Sequence, residues 1–290
     1  MPRISLYCGL SPSIFARRKG RTLASQILAA ILLLGACHAL FSALGRLFPC
    51  NPDHPVFVSR SIGLDLGYAA LGMLYAGAGP AIAAVLTRPP FGAPGAGPAG
   101  RWLAAMPLAA QVALLLTATD FCQYWLHRAF HGRRLWRFHA VHHSAREVNW
   151  TTTFRTHPVN DLAAGAALAV LARLAGFSET SLLFAAPIFF ASGVVTHANL
   201  GWSFGPLRFV LASPVFHRWH HSLGADARER NFAPMFPVWD LMFGTFHMPR
   251  AHRPVRFGAE GVPGDLIGQL IYPLRRDAGP IAAHAEGSRD

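Results

Sequence analysis

Long apolar runs separated by basic or polar stretches set the organisation of this chain. Residues 22–44 and 62–86, the latter despite Asp65 and Pro80, are uninterrupted enough to be predicted as spanning helices. At about 1.5 Å per residue each would cross a hydrocarbon core of about 30 Å. A third predicted span, 103–126, runs directly into a histidine-rich stretch. The runs 162–175 and 182–195 are only about 21 Å long as helices. They are expected to form a re-entrant hairpin, or two helices that reach full length by recruiting Asp161, Thr196 and His197. Residues 88–101 carry so many prolines and glycines that a flexible connector is predicted. Residues 128–155 and 208–256 are too polar for lipid and are expected to fold as a cytosolic cap, and 278–290 reads as a disordered tail.

The pattern predicts an all-α integral membrane protein with about four transmembrane or re-entrant helices and a helical cap bearing the histidines. Its expected divisions are an N-terminal anchor with connector (1–101), a catalytic unit (102–257) and a C-terminal tail (258–290). Composition agrees: 52% of residues are hydrophobic, 14% are charged, and mean hydropathy is +0.30. Soluble domains carry nearer a quarter charged residues. The net charge of +12 comes from arginines, with Lys19 the only lysine, and they flank the apolar runs. That placement fits the cytoplasmic face of a bilayer and excludes nucleic acid as the favoured partner. A bacterial inner membrane with the polar cap facing the cytoplasm is the expected location. Three full crossings before His127 would put the basic N-terminus and the arginine-rich cap on opposite sides, so one of the first three segments is expected not to span. Arg17, Arg18, Lys19 and Arg21 precede an apolar run containing Leu34-Gly-Ala-Cys37, which resembles a lipoprotein cleavage box. The run continues past it, so an anchor is favoured over a signal peptide.

Histidine changes the picture most. His127-Arg-Ala-Phe-His131, His139-Ala-Val-His142-His143 and His217-Arg-Trp-His220-His221 place imidazoles three and four residues apart, on one face if helical. Eight nitrogen ligands exceed the roughly four of a tetrahedral site, so two ions are predicted. Cys8, Cys37, Cys50 and Cys122 have neither zinc-ribbon nor disulfide-framework spacing. Imidazole suits zinc, copper, iron and nickel alike, so the ligands do not choose the metal. No HExxH pair is present to supply the general base of zinc hydrolysis. The rival reading is a histidine-rich membrane metal transporter or sensor, but the clusters lie beyond the ends of the apolar runs rather than midway along them.

The chain resembles the fatty acid hydroxylase and sterol desaturase superfamily of membrane-bound di-iron enzymes. The likeness runs over roughly 120–246 and includes Leu135-Trp-Arg-Phe-His-Ala-Val-His-His-Ser144, Arg155-Thr-His-Pro158, His197-Ala-Asn199, Pro214-Val-Phe-His-Arg-Trp-His-His-Ser222, Asn231-Phe and Trp239-Asp-Leu-Met-Phe-Gly-Thr245. It implies two further ligands, His157 and His197, beside His127, His131, His139, His142, His143, His217, His220 and His221. It also implies iron, O2 as co-substrate, and hydroxylation or desaturation of a sterol, hopanoid, fatty-acyl or ornithine-type lipid. No redox-cofactor motif is present, so an external ferredoxin or cytochrome b5-like donor is expected. Asp120 and Asp240 are expected to orient ligand imidazoles, and Asn199 and Tyr124 to hydrogen-bond ligands or to pack. His247 and His252 are expected at the surface or behind the ligands. His38, His54 and His284 have no partners at useful spacing.

Overall fold

The computed structural model describes residues 23–54, 59, 61–87, 97–250, 252–276 and 278. Most of the expected connector, the basic residues before 22, the tail beyond 278 and His284 lie outside them. No strand occurs among the described residues; one isolated bridge pairs Ser222 with Phe257. Among the described residues eleven α-helices run in order: α1 Leu23–Leu47, α2 Ile62–Tyr75, α3 Ala78–Leu86, α4 Pro98–Ala104, α5 Leu108–Phe130, α6 Trp136–His143, α7 Pro158–Ala175, α8 Glu179–His197, α9 Pro214–His220, α10 Val238–Met242 and α11 Leu266–Ile271.

Two predicted spans are interrupted, and proline accounts for both interruptions. Residues 62–86 form α2 and α3, bent by 42° at the break. Pro80 donates no amide proton, and its ring clashes with the carbonyl four residues back, so a helix breaks just before it. The predicted span 103–126 starts instead at Leu108, because Pro107 is the N-cap of α5 and pushes Met106 out of the helical region. Conversely, the two short apolar runs reach full length. Pro158 opens α7 and Gly176, at φ 86°, closes it. The Ser178 side chain caps α8, which runs on through Thr196 to His197. With 18 and 19 residues, α7 and α8 are long and apolar enough to cross a membrane; the bent pair α2–α3 is a third candidate.

Packing ties these helices to the polar segments. Leu115 and Leu116 of α5 pack with Ala172 of α7 and Ala185 of α8. A Cβ on Gly79 would lie 3.1 Å from the Gly165 backbone, so glycine lets α3 and α7 approach closely. Leu34, Cys37, Phe41 and Leu44 of α1 pack on Trp150, Val194 and Leu200. Leu32 and Leu33 of α1 and Leu183 and Phe184 of α8 are exposed. Apolar faces of this kind suit lipid rather than water.

From α2, Asp65 enters the interior. Fully buried, it accepts from Arg155 Nε at 2.7 Å and Thr151 Oγ1 at 2.5 Å. Arg155 is itself 2% exposed. A pair so deeply buried is maintained only when the charges and their hydrogen bonds are mutually satisfied.

Candidate metal centre

Helical periodicity supplies the local geometry. His127 lies in the last turn of α5 and His131 caps that helix. The short α6 carries His139, His142 and His143, and α8 ends in His197. Pro214 at the first position and the Ser213 hydroxyl, which accepts from Phe216 N at 3.1 Å, start α9 at the register that turns His217, His220 and the capping His221 inward.

These nine imidazoles converge as two groups. One comprises His127, His131, His139, His143 and His220; the other His142, His197, His217 and His221; within each group one nitrogen per ring lies within 4.8 Å of every other. In the second group, Nε2 of His197 is 3.1 Å from that of His142, 3.0 Å from His217 and 3.3 Å from His221. In the first, Nε2 of His127 lies 2.9 Å from that of His139, and His143 lies 3.0 Å from His220. His143 and His221 stack at 4.5 Å between ring centroids, joining the two groups.

The outer nitrogens reveal what the inner ones carry. Nδ1 of His127 lies 2.7 Å from Phe232 O, that of His142 3.0 Å from Arg155 O, that of His197 2.7 Å from Gly193 O and that of His220 2.8 Å from Arg230 O. His139 Nδ1 lies 2.8 Å from Asn160 Oδ1. A carbonyl only accepts, so each of these Nδ1 atoms carries the proton and leaves its Nε2 as a bare lone pair. Burial pushes His139, His142, His143, His217, His220 and His221 well below the ordinary value of 6.5, and neighbouring imidazoles add to the shift. The rings are therefore neutral near pH 7. His127 and His139, and likewise His142 and His197, face each other lone pair to lone pair at hydrogen-bond distance with no proton between them. A cation between the rings removes that repulsion. Nitrogens about 2.05 Å from a tetrahedral ion lie about 3.3 Å apart, close to the spacings here. The donor set fits two imidazole-ligated metal ions.

The segment 230–236 holds two of the outer carbonyls, and two carboxylates pin it. Asp120 accepts from Met235 N at 2.7 Å, Phe236 N at 2.9 Å and Trp239 Nε1 at 2.9 Å. Asp240 accepts from Phe232 N at 2.8 Å, Ala233 N at 2.9 Å and Thr245 Oγ1 at 2.6 Å. Residues 112–245, which include all nine converging histidines, match the family model described as fatty acid hydroxylase.

Over this segment the chain is similar to fatty acid hydroxylases. An ornithine lipid hydroxylase of Rhizobium tropici is 33% identical over 177 residues, covering 60% of this chain and 54% of the relative. An alkylglycerol monooxygenase of Caenorhabditis elegans is 31% identical over 142 residues, 48% of this chain and 27% of the relative. A very-long-chain aldehyde decarbonylase of Oryza sativa subsp. indica is 31% identical over 150 residues, 48% of this chain and 24% of the relative. The chain thus spans about half the length of the first and about a quarter of the other two. No solved structure matches it.

The expected site residues do not all meet. His157 stands outside both groups: its Nδ1 accepts from Val159 N at 3.2 Å, capping α7, and its Nε2 faces Leu270 O at 3.2 Å. Asp120 and Asp240 touch no imidazole; they act on the backbone that does. Tyr124 pairs its hydroxyl with Thr245 Oγ1 at 2.9 Å, and Asn199 joins the backbone of Asn51 through both its amide atoms. His247 lies 3.4 Å from Asp226 at the surface side, and His252 is exposed. The residues not anticipated are Asn160, the carbonyl of Gly193 and the segment 230–232. Asn231, at φ 58°, anchors that segment through His247 N at 2.7 Å and Phe216 O at 2.8 Å. Asparagine tolerates this left-handed backbone better than most residues.

Proposed function

We propose that the protein is a membrane-bound di-iron oxidoreductase that uses O2 and externally supplied electrons to hydroxylate or desaturate a lipid. The observation that carries this reading is the pair of imidazole groups whose protonated nitrogens point outward and whose lone pairs point at one another. His127, His131, His139, His143 and His220 would hold one iron, and His142, His197, His217 and His221 the other. When bound, the irons supply the redox chemistry that an unactivated C–H bond requires. Hydroxylation consumes one O2, two electrons and two protons, leaving one oxygen on carbon and one in water; desaturation removes two hydrogens and sends both oxygens to water. The relatives' names, lipid hydroxylase and monooxygenase among them, favour a lipid substrate.

The chain's own contribution is to hold and dry the site. Backbone carbonyls at Phe232, Arg155, Gly193 and Arg230 fix the tautomer and the ring angle of four ligands. Phe232 packs on the rings of His127, His131 and His220, and Trp136 on those of His131 and His143. These aromatic walls lower the local polarity around the metals. Electrons come from a ferredoxin or cytochrome b5-type donor, and the arginine-rich polar segments suit the cytoplasmic side of a bacterial inner membrane.

Metal analysis of the detergent-purified chain, expressed in iron-sufficient medium, tests the reading together with mass spectrometry of lipids incubated with reductant and O2. About two irons per chain and a lipid gaining one oxygen or losing two hydrogens are expected. Zinc that persists after anaerobic reconstitution with Fe²⁺, with no altered lipid, would overturn it. His157→Ala should leave the iron content unchanged, because both ring nitrogens are already engaged, and should cost about 1 kcal/mol through the lost cap. Loss of one iron from that variant would return His157 to the ligand set.

A further inference from the structure

Residues 265–276 fold as an amphipathic unit. The Asp265 carboxylate caps α11 by accepting from Gly268 N at 2.7 Å, and a 3-10 turn, Tyr272–Leu274, extends the helix. Gln269, Tyr272 and Pro273 are buried on its inner side. Ile267, Ile271 and Leu274, four and three residues apart in the sequence, turn outward and are 72%, 52% and 82% exposed. Arg275 and Arg276 follow at once, both exposed.

The inner side is fastened to α6, the helix that carries His139, His142 and His143. Gln269 Nε2 donates to Ser144 Oγ at 3.1 Å, and Arg137 donates to Pro273 O at 2.8 Å and to Ala278 O at 3.2 Å. Tyr272 packs with Trp136 and Ala140. Two further contacts fix the level at which α11 lies. Near the start of α2, a Cβ on Gly67 would lie 3.5 Å from Leu266 Cδ2; at the start of α7, Nε2 of the capping His157 lies 3.2 Å from Leu270 O. The bond from Arg155 to Asp65 joins those same two helix ends. Both α7 and the bent pair α2–α3 are candidate spans. The unit therefore lies where the two spans meet the polar segments.

We propose that residues 266–276 are an interfacial anchor whose partner is the lipid surface beside α2 and α7. Ile267, Ile271 and Leu274 enter the boundary between headgroups and acyl chains, and Arg275 and Arg276 lie among the phosphates. Three large aliphatic side chains in one stripe are poorly placed in water. The stripe instead continues the outward apolar surface of α2, where Met73 and Leu74 are exposed. Packed helices lie about 8–10 Å apart, so the anchor holds α6 and its histidines one helix layer from the bilayer. The inference rests on the membrane reading of α2 and α7 and needs no metal.

The full chain is reconstituted in vesicles of phosphatidylethanolamine and phosphatidylglycerol doped with a phospholipid that carries a diazirine on the acyl chain close to the head. Irradiation followed by peptide mass spectrometry maps the side chains that touch lipid. Label is expected on 266–274 and, as an internal reference, on the exposed Leu183 and Phe184 of α8. An Ile267→Glu/Leu274→Glu variant should lose about tenfold of the label on 266–274 and keep that on α8. Label on α8 with none on 266–274 of the parent would overturn the proposal, and that comparison needs no variant to fold. Undiminished label in the double variant would overturn it too. So would a parent that is dimeric by mass photometry and a double variant that is monomeric, which would assign the stripe to a second copy of the chain. Labelling as expected in a chain that binds no iron and alters no lipid would leave the anchor standing and defeat the oxygenase reading instead.

Discussion

A His197→Ala variant is expected to fall from about two irons per chain to about one and to modify no lipid. The Nε2 of His197 lies within 3.3 Å of those of His142, His217 and His221, so it is the common neighbour of its group. Its ring is set by the helix that bears it, since Nδ1 donates to Gly193 O one turn earlier. Without it three imidazoles remain, each still in place, and a four-nitrogen site loses one of its donors. The first group does not contain His197 and should keep its iron. Elemental analysis beside lipid mass spectrometry checks both halves of this expectation, and circular dichroism in detergent separates metal loss from unfolding. Two irons and undiminished turnover would remove His197 from the centre.

Asp65→Ala should be the most destabilising change outside the histidines, at about 3–5 kcal/mol. It strands the Arg155 guanidinium, 2% exposed, without its carboxylate, and an uncompensated buried charge costs that much. The effect should also reach the metal. Arg155 offers its carbonyl to His142 Nδ1 at 3.0 Å, and loss of such an outer partner lowers metal affinity about 10–100-fold. Thermal melts in detergent and competitive metal titration read the two consequences separately. An Asp65→Ala/Arg155→Leu double variant should recover much of the stability, because it removes the stranded charge along with its partner. A single variant that melts with the parent would show that the pair does not hold the segment.

Much of the candidate centre was legible because its histidines obey helix periodicity. Spacings of three and four residues put His139, His142 and His143 on one face, whatever the tertiary structure, and the same holds for His217, His220 and His221. The outer shell was not legible, since its acceptors are mostly main-chain carbonyls and every residue has one. Asp120 and Asp240 were anticipated as direct partners of imidazoles. They instead grip the amides of 232–236, an indirect route that only the turn of the chain at Asn231 reveals. Asp65 read as a tolerated blemish in an apolar run, because its partner is 90 residues away. His157 differs: the His-Pro pair also marks a helix start, and here Nδ1 of His157 accepts the capping hydrogen bond of α7 while the ring stands apart from both groups. The helix breaks at Pro80 and Pro107 were open to reading, but the continuous apolar character of 62–86 and 103–126 outweighed the prolines.

The short segment that carries Arg230 and Phe232 also dictates a schedule for biosynthesis. His127 is oriented by a carbonyl 105 residues later, and the loop providing it is fastened to Asp120 from 115 and 116 residues away. While the chain is being made, the early histidines leave the ribosome long before anything can choose their tautomer. Non-local contacts of this kind form late. Metal loading of such a site would therefore follow translation, and a chain truncated before residue 240 would bear all nine converging histidines yet have no carboxylate at that position to fasten the loop.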